Sequence, residues 1–270
     1  MKKLYRKRME GLEEGLDALE TAISRAVVVS ESCIGIIHTG RQNRALFLFA
    51  KLIANNMSVV TLVQTAVLAG KNASLLDHFS VASLGRIAID TAIMTLYISE
   101  PSLTLAQWNL RRHVLYLHDA TSRKRFLDAA VRAEGVTSQY HLEGYSERKT
   151  ELHSAIDMYG AELGLPQDKL ERLKKGDVFV DGLRGAVREA GLNVDAWEHY
   201  NAYLSSFVHA HPVSFMRAEE HAISFEEPSK FQRELCGYVM EAIASCTEAV
   251  TTRVEAFCGD DAKDPLGMLD

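Results

Sequence analysis

The stretch 83-SLGRIAIDTAIMTLYI-98 decides how this chain is read. It is strongly apolar, yet it carries Arg86 and Asp90 at positions i and i+4, which share one face of a helix. Charges in so apolar a setting must be paired or hydrogen-bonded, because an unpaired buried charge is costly. The pair is therefore either a structural salt bridge within one helix or half of a polar centre completed from elsewhere in the chain.

Working outward, Ser74 is a plausible N-cap for this helix and Pro101 stops it. Upstream, Leu12, Leu16, Leu19, Ile23 and Val27 recur at spacings of three and four, which marks a helical face. A second helix is expected from Arg41 to Ala69. Downstream, helices are expected over 104–134 and 138–163, the latter ending at Gly164. Short helices follow Pro166 and Gly182. Another opens near Asp195 and stops at Pro212. The last runs from Pro228, as a first-turn proline, to Phe257, with Gly259 just past its end. No alternating run reaches strand length; 178-VFV-180 is the nearest. The expectation is an all-α fold, an antiparallel bundle of long helices. It forms one domain over 1–270, with a smaller helical insert at about 138–195.

The chain has 270 residues, 47% of them hydrophobic, enough for a real core. Its net charge of −6 argues against polyanion binding by bulk electrostatics. Basic residues cluster locally, in 2-KKLYRKR-8 and around 111-RRH-113 and 123-RKR-125. Four cysteines stand far apart with no C-x-x-C pair, which reads as free thiols in a reducing compartment. The basic N-terminus lacks the apolar core of a signal peptide. The apolar stretches 45–54 and 57–70 are interrupted by Lys51, Asn55 and Asn56, so no membrane span and a cytoplasmic location are expected. No Glu-x-x-His, G-x-G-x-x-G, Walker loop, G-x-S-x-G or H-E-x-x-H motif occurs, and neither metal nor cofactor is expected.

The second polar cluster is 203-YLSSFVHAHP-212. Ser205 and His209 stand four residues apart and are expected to share a helix face. Pro212 disfavours helical geometry at His211, which reads as the helix end. His209 is either a core histidine or a functional one. In the functional reading Asp90 stands behind His209, fixing its tautomer and raising its basicity, and Arg86, Asp90, Ser205 and His209 form one buried centre.

The order of these features resembles a bacterial family of helical domains of unknown function. The matching segments are 46-LFLFAKLIANNMSVVTLV-63, an R-x3-E helix with Arg86 in place, 108-WNLRRHVLYLHDATSRKRFL-127, and a Y-L-S-x3-H element at Tyr203, Leu204, Ser205 and His209. The family's glutamate is Asp90 here, one methylene shorter. The resemblance covers about 40–130 and 195–257 and implies the fold and a common polar centre, without supplying an activity.

Within 111-RRHVLYLHDATSRKR-125, Arg112, His113 and His118 resemble the R-polar-x4-H signature of HEPN-type domains. That resemblance implies an all-α homodimer and a metal-independent ribonuclease of a stress or phage-defence system. Arg112 would hold phosphate, and His118 would act on the 2′-hydroxyl or the leaving oxygen. Arg111, His118 and Arg125 also fall at heptad spacing, giving one basic helix face suited to a phosphate backbone. Two functions remain open on sequence: an RNA-cleaving or RNA-binding protein, with Arg112 and His118 or alternatively Arg86 and His209 as its candidates, or a non-catalytic module that binds a partner protein and keeps its polar centre for fold specificity.

Overall fold

A computed structural model describes residues 11–68, 75–134 and 143–266. Among them the chain is all-α, a helical bundle with no strand. The helices are α1 (Leu12–Ser32), α2 (Gly40–Leu68), α3 (His78–Ile98), α4 (Leu105–Glu134), α5 (Tyr145–Glu162), α6 (Gln167–Lys175), α7 (Gly182–Glu189), α8 (Val194–Val208) and α9 (Lys230–Cys258), with a 3-10 turn at Pro212–Ser214. They form two compact units, Ser102–Glu189 and the remainder, Met1–Pro101 with Ala190–Asp270.

In the larger unit α9 is the hub, packing against α1, α2 and α3, while α3 also packs on α8. The deepest line of α1 is Gly15, Leu19, Ala22, Ala26 and Val29, shifted by one helical step from the larger apolar residues that the spacing singles out. The reason is the closeness of α9. A Cβ on Gly15 would lie 2.6 Å from the carbonyl oxygen of Gly237, so the two backbones touch and only small residues fit between. Arg41, at the start of α2, is the largest charged group buried here. Its Nη1 meets Asp264 Oδ1 at 3.0 Å and its Nε donates to the Ile98 carbonyl at 2.8 Å, while Nη2 donates to the Glu100 carbonyl. Length and composition alone would let 40–66 and 78–98 cross a membrane. A third of the apolar window of the first and two-thirds of that of the second are buried within the protein. Asn56, read from the sequence as an interruption, is buried and donates to Thr247 Oγ1 at 2.7 Å on α9.

Several helix ends differ from the sequence expectation. Ser74, 138–142 and the basic stretch 2–8 lie outside the described residues. Asp77 caps α3, its side chain accepting from the Ser80 amide at 3.0 Å. Pro228 stands before the cap of α9 rather than in its first turn. Ser229 and Gln232 form a capping box there, which satisfies the first amides better than proline at that point. Helix α8 ends at Val208, short of Pro212, because Ala210 has a φ of +50° and His211 is already extended.

The smaller unit is built on α4, α5 and α6. Leu110, Val114 and Leu117 from α4, Leu152 and Ile156 from α5, and Leu170 and Leu173 from α6 form its core. Beyond Leu117 the rest of α4 is exposed or half-buried.

Candidate functional site

The first constellation is assembled only in part. Arg86 on α3 donates through Nε to Ser205 Oγ at 3.2 Å and through Nη2 to Asn201 Oδ1 at 2.5 Å, both on α8. It also pairs with Asp90 one turn along its own helix. Arg86 is thus the hub of a polar cluster with Ser205, Asn201 and Asp90, and His209 makes no bond to it among the described residues. Asp90 is at the edge, its side chain 47% exposed. His209 caps the C-terminus of α8, is exposed, and its ring stacks on that of His211 with centroids 5.6 Å apart. His209 stands one turn beyond Ser205, its amide donating to the Ser205 carbonyl at 3.1 Å, and among the described residues its ring makes no bond to Asp90. Asn201 is the member that sequence reasoning missed; its position one turn before Ser205 was the available signal. Ser205 receives a hydrogen bond from a guanidinium, and among the described residues no histidine is bonded to its hydroxyl. The arrangement ties α3 to α8.

The second constellation also changes. Arg112 and His118 are six residues apart on α4, which places them roughly 120° apart around the helix. Arg112 is half-buried and donates to Asn109 Oδ1 at 3.0 Å. His113, the polar residue of the motif, is likewise half-buried, its Nδ1 2.6 Å from the Asn109 carbonyl and its ring near Tyr159. Burial, reinforced by Arg112 and Arg148, pushes its pKa down. His118 is exposed. His118 lines a cleft whose described lining does not include Arg112. Arg111 leaves the basic face too: it is buried and bound to Glu189 at the end of α7.

What remains is a cleft of about 460 Å³ on the smaller unit. His118, Thr121, Ser122 and Arg125 line it from α4, Lys149 from α5, and Lys174 and Lys175 from the end of α6. Lys174 is neutralised locally by Glu171 at 2.7 Å and Asp157 at 2.9 Å, bonds that raise its pKa. Arg125, Lys149 and Lys175 make no ion pair among the described residues, and no acidic side chain is among the described residues lining the cleft. On the flank of α4 the acids are already consumed, Asp119 by Arg123 at 3.0 Å and Asp128 by Lys124 at 2.5 Å. Burial, together with the charges of Lys149 and Lys174, lowers the pKa of nearby His153. The smaller unit holds 14 Lys and Arg against 13 Asp and Glu, whereas the rest of the chain holds 16 against 23, so the acidic net charge belongs entirely to the larger unit. Lys149 and Lys175 could not be placed beside His118 from sequence, since they come from helices far along the chain.

Among the described residues, no group of three or more His, Cys, Asp or Glu is disposed to hold a metal. The sequence matches no family model, no curated protein and no solved structure.

Proposed function

We propose that this protein binds RNA through the cleft of the smaller unit, gripping the phosphate backbone rather than cleaving it. The observation that carries this reading is the convergence of three cations that make no ion pair among the described residues, Arg125, Lys149 and Lys175, with His118, Thr121 and Ser122 on one concave surface. Cations fixed in a groove neutralise phosphates and release counterions, which supplies the sequence-independent part of nucleic-acid binding. The hydroxyls of Thr121 and Ser122 add donors to phosphate oxygens. Binding is preferred over cleavage because Arg112 is engaged with Asn109 on another face of α4, leaving His118 without the phosphate-holding arginine of the motif. The test is an electrophoretic mobility shift with the full chain. Lys149→Glu and Lys175→Glu should abolish RNA retardation. Arg217→Glu, in the larger unit, should leave it intact.

A second reading, a module that docks a protein partner, is favoured by the loop after α8. There Phe215, Met216 and Phe225 are 53%, 72% and 65% exposed, more apolar surface than an unpartnered loop normally shows. If it holds, Phe215→Ser with Met216→Ser abolishes partner association while RNA binding persists.

A further inference from the structure

We infer that Phe126 is a stacking platform for an unpaired base, so that the strand held by the cleft is single-stranded. The inference rests on the reading of the cleft as an RNA site. Phe126 follows Ser122 by four residues on α4, so its side chain stands one turn beyond the lip of the cleft. It is 59% exposed and takes no part in the core of its unit. Its chain neighbour Arg125 is one of the cations lining the cleft and makes no ion pair among the described residues. Arg132 lies one heptad beyond Arg125, is exposed, and makes no ion pair among the described residues. His118, Arg125 and Arg132 thus mark a polar track along α4, about 21 Å long at about 1.5 Å per residue, with the two arginines as its cations and Phe126 beside it.

This combination distinguishes between nucleic-acid forms. A track of cations alone follows any phosphate backbone. A ring exposed beside that track offers its face to a base, and only a base out of a duplex can lie flat on it. Every base has a π-face, so the contact tolerates any sequence. An exposed ring is also a liability in water, and covering it with a base removes that liability.

The experiment is fluorescence anisotropy with the full chain and two labelled probes, a single-stranded RNA and the duplex formed with its complement. The wild type should bind the single strand more tightly than the duplex. Phe126→Ala should weaken single-strand binding about tenfold, leaving duplex binding and Tm unchanged. Phe126→Trp should retain binding, and its indole emission should be quenched as the single strand is added. The inference is overturned if Phe126→Ala binds the single strand as the wild type does, or if the Phe126→Trp emission does not respond while the strand is bound. If the wild type binds neither probe, the RNA reading itself falls, and this inference with it.

Discussion

Arg86 and Ser205, far apart in sequence, meet through a hydrogen bond of 3.2 Å that joins α3 to α8. The same guanidinium reaches Asn201 and Asp90, so one side chain serves two helices. Its own side chain is 13% exposed, against 47% for Asp90. Removing the hub should therefore cost far more than removing the edge. Arg86→Ala is expected to lower unfolding free energy by about 1–3 kcal/mol, since it strands two polar partners on α8. Asp90→Ala is expected to cost about 1 kcal/mol or less, as for other exposed pairs. Urea denaturation checks the order. Equal losses would mean that the carboxylate, not the inter-helix bonds, holds the site.

The backbone contact of α1 with α9 makes a sharper demand. A Cβ at Gly237 would lie 2.6 Å from the Gly11 carbonyl oxygen, and one at Gly15 would meet the Gly237 carbonyl at the same distance. Neither backbone can retreat without opening the core around Leu19 and Val239. Gly15→Ala and Gly237→Ala should each destabilise by about 2 kcal/mol or more, against the gain that alanine normally brings to a helix. A rise in Tm for either variant would contradict the close approach.

Histidines held neutral by burial contribute to the acid limb of stability. His78 is buried among Phe79, Phe207 and Phe231, with Gln232 Nε2 3.4 Å from its Nδ1. Burial holds its pKa below the ordinary 6.5 despite the opposing effects of the Leu76 carbonyl and Asp77. The unfolded chain then binds a proton that the native state refuses. The stability from neutral His78 is complete above about pH 6.5 and is lost as pH falls towards the folded pKa, by at most about 1.4 kcal/mol per pH unit. His113 and His153 shift in the same direction and add to the slope. His78→Phe should flatten the profile between pH 6.5 and the acid transition. Thermal melts across that range would show it, and an unchanged slope would contradict it.

The buried Arg41–Asp264 pair, with side chains 1% and 0% exposed, anchors the segment after α9 to the start of α2. Asp264 also accepts from Thr39 Oγ1 at 3.0 Å. Asp264→Ala leaves a buried guanidinium without its counter-charge, an expected loss of about 3–5 kcal/mol. The double variant Arg41→Met/Asp264→Ala should recover part of that loss. No recovery would mean that the carbonyl bonds of Arg41, rather than the charge pair, carry the anchoring.

The all-α fold was legible because 3.6-residue periodicity and proline punctuation are local signals, and they located most helices to within a few residues. The ends that moved did so for local reasons of another kind. Ala210 takes a left-handed turn that alanine rarely adopts, which ended α8 early and exposed His209. The pairing of Arg86 with Ser205 followed from two separate apolar helices each carrying polar residues one turn apart. The exposure of Asp90 did not follow, because apolar composition says how much a helix buries and not which side chain lies at the rim. For α4 the sequence showed the heptad of Arg111, His118 and Arg125. It could not show that Glu189 captures Arg111, nor that Lys149 and Lys175 replace it. The two lysines stand on helices that only the tertiary packing of Leu110, Leu117, Ile156 and Leu173 brings to α4.

The central claim is that the cleft of Arg125, Lys149, Lys175 and His118 grips RNA phosphates. It is tested most directly by the salt dependence of RNA affinity, titrated by anisotropy for the full chain and for Arg125→Gln and Lys175→Gln. Three phosphate contacts predict a slope of log K against log salt of about −2 for single-stranded RNA, reduced by about 0.7 in each variant. A wild-type slope near zero, or variants with the wild-type slope and affinity, would contradict it.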